Sequence, residues 1–238
     1  MNHIKLQADL IIIGAGIAGT SLAFRACQKG LKPVLLDDGR KGTTHSATGL
    51  IAPRPDYMLR DIKLVRLSDF ECFNWRALFL RIMRPTQFLL PIDPEHRYRF
   101  SRIEVLLKKY DSITPWRLKH LPRSSRISRS VLREMEPNLR NNYFDGALSS
   151  WEFTVDPQKL LRELDTLASG LPAYQKILIK PGSMQFELGE GRLEAIWIET
   201  LDENRVKIFN KKKPAFPGER ARKISHGSRP VHALNRLS

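Results

Sequence analysis

Between Asp9 and Asp37 the chain carries the parts of a βαβ unit in working order. Asp9-Leu10-Ile11-Ile12-Ile13 is a short unbroken apolar run, the pattern of a central parallel strand covered on both faces. Gly14-Ala15-Gly16-Ile17-Ala18-Gly19 follows, a complete GxGxxG. The spacing predicts a helix over Ile17–Lys29, with Ala18, Leu22 and Ala26 as a small apolar face that can lie on a sheet. Gly30 tolerates a left-handed helix stop, and Pro33-Val34-Leu35-Leu36 starts a second strand that ends at Asp37.

Each part has a physical task. Gly14 permits the tight turn out of the strand, Gly16 lets a pyrophosphate approach bare backbone, and Gly19 lets the helix pack closely. The helix then opens through Ile17 and Ala18 with unpaired N–H groups and the positive end of its dipole toward the phosphates. A carboxylate at Asp37 can accept hydrogen bonds from ribose hydroxyls, with Asp38 as the substitute if the register slips by one. A signal peptide is a poorer account of Leu10–Phe24, because the glycines interrupt it at the spacing a dinucleotide requires. The motif alone does not separate FAD from NAD.

The next segment separates them. Thr44-His45-Ser46-Ala47-Thr48-Gly49-Leu50-Ile51 comes soon after the acid. Here the chain resembles the FAD-dependent glycerol-3-phosphate dehydrogenases, within the wider D-amino-acid-oxidase-like flavoenzymes. The resemblance implies that Thr44, Ser46, Thr48, Gly49 and Leu50 run along the pyrophosphate toward the flavin. It continues through Phe88-Leu89-Leu90-Pro91, Tyr110-Asp111, Leu121-Pro122 and Glu136-Pro137-Asn138-Leu139. Phe144-Asp145-Gly146-Ala147-Leu148 and Thr154-Val155-Asp156-Pro157 complete it, so that about residues 8–200 are covered. Asp156 also reads as an N-cap and Pro157 as a first helical residue, ahead of Leu160, Leu161, Leu164 and Leu167 on one face. Ile177-Leu178-Ile179 matches the family strand whose backbone meets the adenine.

The implied fold is α/β, a Rossmann-like FAD-binding parallel sheet with an incomplete α+β substrate domain. The implied reaction is hydride transfer from glycerol 3-phosphate to flavin, giving dihydroxyacetone phosphate. The alternatives are oxidation of another small hydroxy or amino acid, an inactive fragment of such an enzyme, or an NAD-binding Rossmann protein if the match after Thr44 is accidental. A quinone or other electron acceptor would reoxidise the flavin, in the cytoplasm or peripherally on the inner face of the cytoplasmic membrane.

Two departures stand out. Aligning Gly49-Leu50 with the family pattern puts Ala52 at its histidine and Asp56 at its phosphate-gripping arginine, and only Tyr57 survives. An aspartate repels phosphate, so Arg54, with Arg60 nearby, and Tyr57 are the substrate candidates. No catalytic base is named by the sequence. Secondly, the family's later strands and C-terminal Gly-rich segment have no counterpart. We expect truncation, through a frameshift in an adenine-rich tract encoding Asn210-Lys211-Lys212-Lys213, or else a basic tail that binds nucleic acid or acidic lipid.

Charge is relevant to that second departure. Ten Lys/Arg and one acid fall between Arg205 and Ser238, so this stretch carries +9 of the net +15. The expected organisation is an FAD-binding core over 1–75, a substrate or cap region over 76–155, a return to the FAD-binding domain over 156–204 and a disordered basic tail over 205–238. A half-built sheet leaves edges and apolar surface exposed, which predicts poor solubility. Leu64, Leu67, Phe70, Trp75, Leu78 and Ile82 read as a packing stripe on one helix. Arg117, Lys119, Arg123, Arg126 and Arg129 around Trp116 read as a solvated basic face or, less favoured, a membrane contact. Cys27 and Cys72 read as reduced thiols, the histidines lack metal-ligand spacing, and no nucleic-acid-binding motif is present.

Overall fold

The computed structural model describes residues 3–210, apart from residues 54, 140–142 and 190–191. The chain opens with β1 (His3–Ala8), β2 (Leu10–Ile13), α1 (Ile17–Gln28) and β3 (Pro33–Asp37). The short α2 (Thr43–Ser46), β4 (Leu50–Ile51) and a 3-10 turn over Pro55–Leu59 lead into the long α3 (Ile62–Phe79). Then come β5 (Arg84–Pro91), α4 (Arg97–Ile113), α5 (Pro115–Leu118), β6 (Ser125–Ser128) and α6 (Arg129–Met135). The chain returns through β7 (Gly146–Thr154), α7 (Pro157–Ser169) and β8 (Gln175–Leu178), and runs on through β9 (Gln185–Gly189), β10 (Arg192–Glu199) and β11 (Arg205–Asn210).

β2, β3 and β8 form a parallel sheet in that order, with Ile11 opposite Val34 and Leu36 opposite Ile177. β3 is uninterruptedly apolar because both its faces are covered. Leu35 packs with Ile12 and Ala23 on the α1 side, while Val34 and Leu36 meet Ile196, Ile198, Val206 and Ile208 on the other. β2, read from sequence as central, is an edge strand among the described residues, and its Ile13 is 53% exposed. An apolar run reports covered faces but not whether a strand lies on each side.

The buried face of α1 is Thr20, Ala23, Phe24 and Ala26. Ala18 and Leu22, two members of the expected stripe, face outward. The rotation follows from Gly19, which presses on the preceding turn and so sets which residues meet the sheet. α7 lies beside α1. Its first turn is capped as the sequence predicts, with the Asp156 carboxylate accepting from Gln158 N at 2.8 Å and Lys159 N at 3.1 Å. Leu160, Leu164 and Ala168 are its buried residues and join Phe24, Phe79, Met83 and Phe153 in one core. Each such large apolar side chain contributes about 1.5–3 kcal/mol.

β7 is the middle of the second sheet. β5 pairs along one edge from Arg84–Thr154 to Pro91–Ala147, and β4 and β6 share the other. Val155 N donates to Gly49 O at 2.9 Å, which ties the loop after α2 to the entrance of α7. α3 buries Val65, Asp69 and Phe79, yet Leu64, Leu67, Phe70 and Leu78 are 39% to 57% exposed. The expected packing stripe is therefore only partly covered within the described residues.

The third sheet has the order β1-β11-β10-β9, with β1 and β11 parallel. Arg205–Asn210, which sequence reading placed in the basic tail, is thus a strand. Val206 and Ile208 are buried at 2% and 0% exposure and alternate with Arg205 and Lys207. Net charge hid a period of two. Residues 211–238, including the lysine tract, lie outside the described residues. No described helix is long and apolar enough to cross a membrane.

Candidate cofactor site

The turn after β2 is held by main-chain contacts. Gly14 has φ +96° and donates its N–H to Leu36 O at 2.7 Å, a conformation that strains residues bearing a side chain. A β-carbon at Gly19 would overlap the Gly14 carbonyl oxygen, so α1 can start this close to the strand only with glycine there. The Thr20 hydroxyl, fully buried, donates to Ala15 O at 3.2 Å and ties the helix to the turn.

The N-terminus of α1 receives no side-chain cap from Gly16. Instead the Thr44 hydroxyl oxygen, brought over by α2, accepts from Ile17 N at 3.1 Å. A β-carbon on Gly16 would sit 3.1 Å from that same oxygen, so the bare position forms one wall of a narrow cradle. At the tip of β3, Asp37 Oδ1 accepts from Ala15 N at 3.2 Å, which draws the carboxylate beside the turn. Asp38 is engaged elsewhere. Its carboxylate accepts from Arg40 Nε at 2.7 Å, and that hydrogen bond holds its pKa below the ordinary value.

A cavity of about 470 Å³ opens from this corner. Ile17 and Thr44 form one end, the strip Thr48, Gly49 and Leu50 forms a side, and α3 supplies the opposite wall. Ser46 does not line it, and its hydroxyl donates to Thr43 O at 3.3 Å. Gly14, Gly16, Ala18, Gly19, Asp37 and Asp38 likewise lie off its lining, around the turn. Arg54 lies outside the described residues, and Tyr57 packs partly buried beside Met58, Val65 and Tyr110. Sequence reading missed Ser68, Glu71, Cys72 and Trp75 of α3, which line the cavity. Their spacing is a single helical stripe that mixes polar and aromatic residues, a signal overlooked in a helix read as packing. Burial pushes the Cys72 thiol up to about 12, so it stands there as a neutral group. Cys27 and Cys72 are both free thiols.

The residues fit FAD. Bare backbone at Gly16, the N-terminal end of α1 and the Thr44 hydroxyl suit a diphosphate, and Asp37 beside them suits a ribose diol. The adjoining cavity, walled by Leu67, Trp75 and Leu160, offers an apolar slot of the size that ring systems occupy.

Next to this cavity is a cluster of buried charges. Arg117, assigned from sequence to a solvated basic face, is 3% exposed and lies under the sheet of β7. Its Nη2 donates to Asp111 Oδ1 at 2.5 Å, and Tyr110 donates its hydroxyl to Glu152 Oε1 at 2.9 Å. Asp69 reaches from α3 to accept from Trp116 N at 3.0 Å and Arg117 N at 2.9 Å. A charge count along the chain could not anticipate that its basic face loses one member to burial beside Asp111 and Glu152.

The family model described as FAD dependent oxidoreductase matches residues 9–173. The chain is 31% identical over 155 residues to a probable mitochondrial glycerol-3-phosphate dehydrogenase of Caenorhabditis elegans, covering 60% of this chain and 20% of that protein. It is 25% identical over 216 residues to the aerobic glycerol-3-phosphate dehydrogenase of Bacillus subtilis, covering 87% of this chain and 38% of that protein. Among solved structures it resembles the glycerol-3-phosphate dehydrogenase from Bacillus halodurans complexed with FAD, at TM-score 0.55 and 19% identity, covering 85% and 32% of the two chains. It also resembles the L-amino acid deaminase from Proteus myxofaciens, at TM-score 0.64 and 14% identity, covering 88% and 45%. The chain therefore spans between a fifth and two fifths of the length of these two curated relatives. With the family match extending over well more than half of its residues, the chain belongs to the FAD dependent oxidoreductases, flavoproteins of the D-amino-acid-oxidase type whose cofactor is FAD.

Proposed function

We propose that this chain supplies the FAD-binding part of an oxidoreductase that converts glycerol 3-phosphate to dihydroxyacetone phosphate. The observation that carries the cofactor half is the cavity leading directly off the Thr44-capped end of α1. The substrate half is supported by the relatives named glycerol-3-phosphate dehydrogenase and alpha-glycerophosphate oxidase. In this reading the amides opening α1 and Thr44 hold the diphosphate, Asp37 holds the adjoining ribose, and Thr48, Gly49 and Leu50 run toward the ring. Bound FAD supplies a two-electron acceptor for a hydride leaving the secondary alcohol carbon. The chain's own contribution is orientation and exclusion of water, through Leu67, Trp75 and Leu160 on the cavity wall. A quinone or similar acceptor would take the electrons onward, with the protein in the cytoplasm or resting on a membrane face.

A specific observation favours a second reading. Glu71 is on the cavity wall, and no Lys or Arg is among the described residues that line it. A carboxylate repels a phosphate and attracts an ammonium, and L-proline dehydrogenase and L-amino acid deaminase are among the structural neighbours. One experiment treats both readings. Purified protein titrated with FAD is expected to retain a yellow absorbance near ~450 nm. Anaerobic glycerol 3-phosphate bleaches it under the first reading, and L-proline or another amino acid under the second. Protein that retains no flavin after reconstitution overturns both.

A further inference from the structure

Beside the candidate cofactor cavity is a second, small cavity of about 10 Å³, and Ile51 and Cys72 line both. That volume is at the lower bound for holding one water molecule. Arg76, Arg117 and Glu152 line it among aromatic side chains. Four of their atoms, Arg76 Nε, Arg117 Nε, Arg117 Nη1 and Glu152 Oε2, are buried and have no hydrogen-bond partner among the described residues. Buried donors and acceptors are nearly always satisfied. Guanidinium donors that line the same cavity as a carboxyl oxygen can share one water with it, which accepts from the guanidiniums and either donates to the carboxylate or accepts from the carboxylic acid.

The charges around this cavity do not balance. The carboxylates of Asp69, Asp111 and Glu152, each at most 5% exposed, share one guanidinium that is fully buried, that of Arg117. Asp69 accepts from two backbone N–H groups, which offset part of the upward push that burial gives its carboxyl. Asp111 accepts from Arg117 Nη2, Ser124 N and the Ser124 hydroxyl. Glu152 has the Tyr110 hydroxyl and a 3.5 Å approach from Arg117 Nε. It is the acid with the weakest claim on its charge.

We infer that Glu152 is a buried proton-binding site, its second oxygen bridged by one water to the guanidinium groups of Arg117 and Arg76. The groups facing it are Tyr110 and Asp111 from α4, Arg117 from α5, His120 from the turn beyond, and Asp69, Cys72 and Arg76 from α3. Of these, Cys72 is kept neutral by burial, and burial together with Arg76 lowers the His120 pKa, so the guanidiniums supply the positive charge. Burial raises the Glu152 carboxyl from 4.5 to about 7, against the pull of Arg117. The folded chain therefore keeps a proton that the unfolded chain has already lost. Stability is fullest below the unfolded value of 4.5 and declines as pH rises through about 7.

The test is thermal unfolding of the purified chain between about pH 5 and about pH 8, beside the isosteric variant Glu152→Gln. Wild type is expected to lose several degrees of Tm across the window, and Glu152→Gln to lose most of that slope. A variant that keeps the full wild-type slope overturns the proton site. Carboxyl ¹³C NMR of wild type labelled at glutamate reads the same site if the variant does not fold. One glutamate should titrate near neutrality, and a set that all titrate in the ordinary range refutes it. A crystal structure is expected to show one water between Glu152 and Arg117, and a dry or collapsed cavity overturns the bridge. None of these readouts depends on FAD, so their failure is distinct from failure of the cofactor reading.

Discussion

The glycine turn at Gly14–Gly19 and the ion cluster around Arg117 both manage charge, in opposite ways. The turn brings a helix N-terminus, its first N–H met by the Thr44 hydroxyl, to the end of a cavity and supplies almost no side chains of its own. The cluster takes a guanidinium and three carboxylates out of water and closes the sheet over them. A site meant to receive a charged ligand must stay incomplete, whereas a buried site must complete itself, because unpaired charge in a low dielectric is costly. The turn therefore depends on what is missing at three positions and the cluster on what is present at four.

The comparison predicts unequal responses to substitution. The largest effect belongs to the cluster. Arg117→Met strips the counter-charge from Asp111 and Glu152 and should destabilise the chain by about 3–5 kcal/mol, read as a lower denaturation midpoint or as loss of soluble protein. Equal stability would mean that these acids do not rely on Arg117. At the turn, Gly19→Val should cost about 1–3 kcal/mol through overpacking and abolish flavin retention, since α1 must withdraw from the Gly14 carbonyl. A yellow Gly19→Val protein would break the claim that close approach creates the site. The smallest effect distinguishes the two adjacent acids. Asp37→Ala should weaken FAD binding by about tenfold in an equilibrium titration. Asp38→Ala should leave it unchanged, because that carboxylate serves Arg40. Equal losses would return the ribose assignment to an open choice.

The βαβ unit was legible because its information is local. β3 and its terminal Asp37, the start of α1 at Ile17, and the Asp156–Pro157 opening of α7 stand where sequence reading put them. Each depends on contacts a few residues apart, or on a strand so apolar that only burial explains it. The errors share a different cause. Leu22 faces outward, Ile13 sits on an edge strand and Arg117 is buried, and each outcome was decided by packing that residue pattern alone does not show. For β11 the alternation of Val206 and Ile208 with Arg205 and Lys207 was visible, but the charge total drew attention away from it. At the cofactor cavity the loop side was read in advance and the α3 side was not. Ser68, Glu71, Cys72 and Trp75 become a wall only when that helix lies across the loop.

By itself, the sequence determined that a glycine turn joins a strand to a helix, which strands flank the unit and which acid ends the second, because glycine spacing and apolar runs act over short range. The tertiary structure alone decided which acid turns toward the turn, what forms the far wall of the cavity, and that Asp69, Asp111, Arg117 and Glu152 are buried. Those outcomes depend on desolvation and pairing between groups tens of residues apart, and such energies arise only once the chain has closed around them.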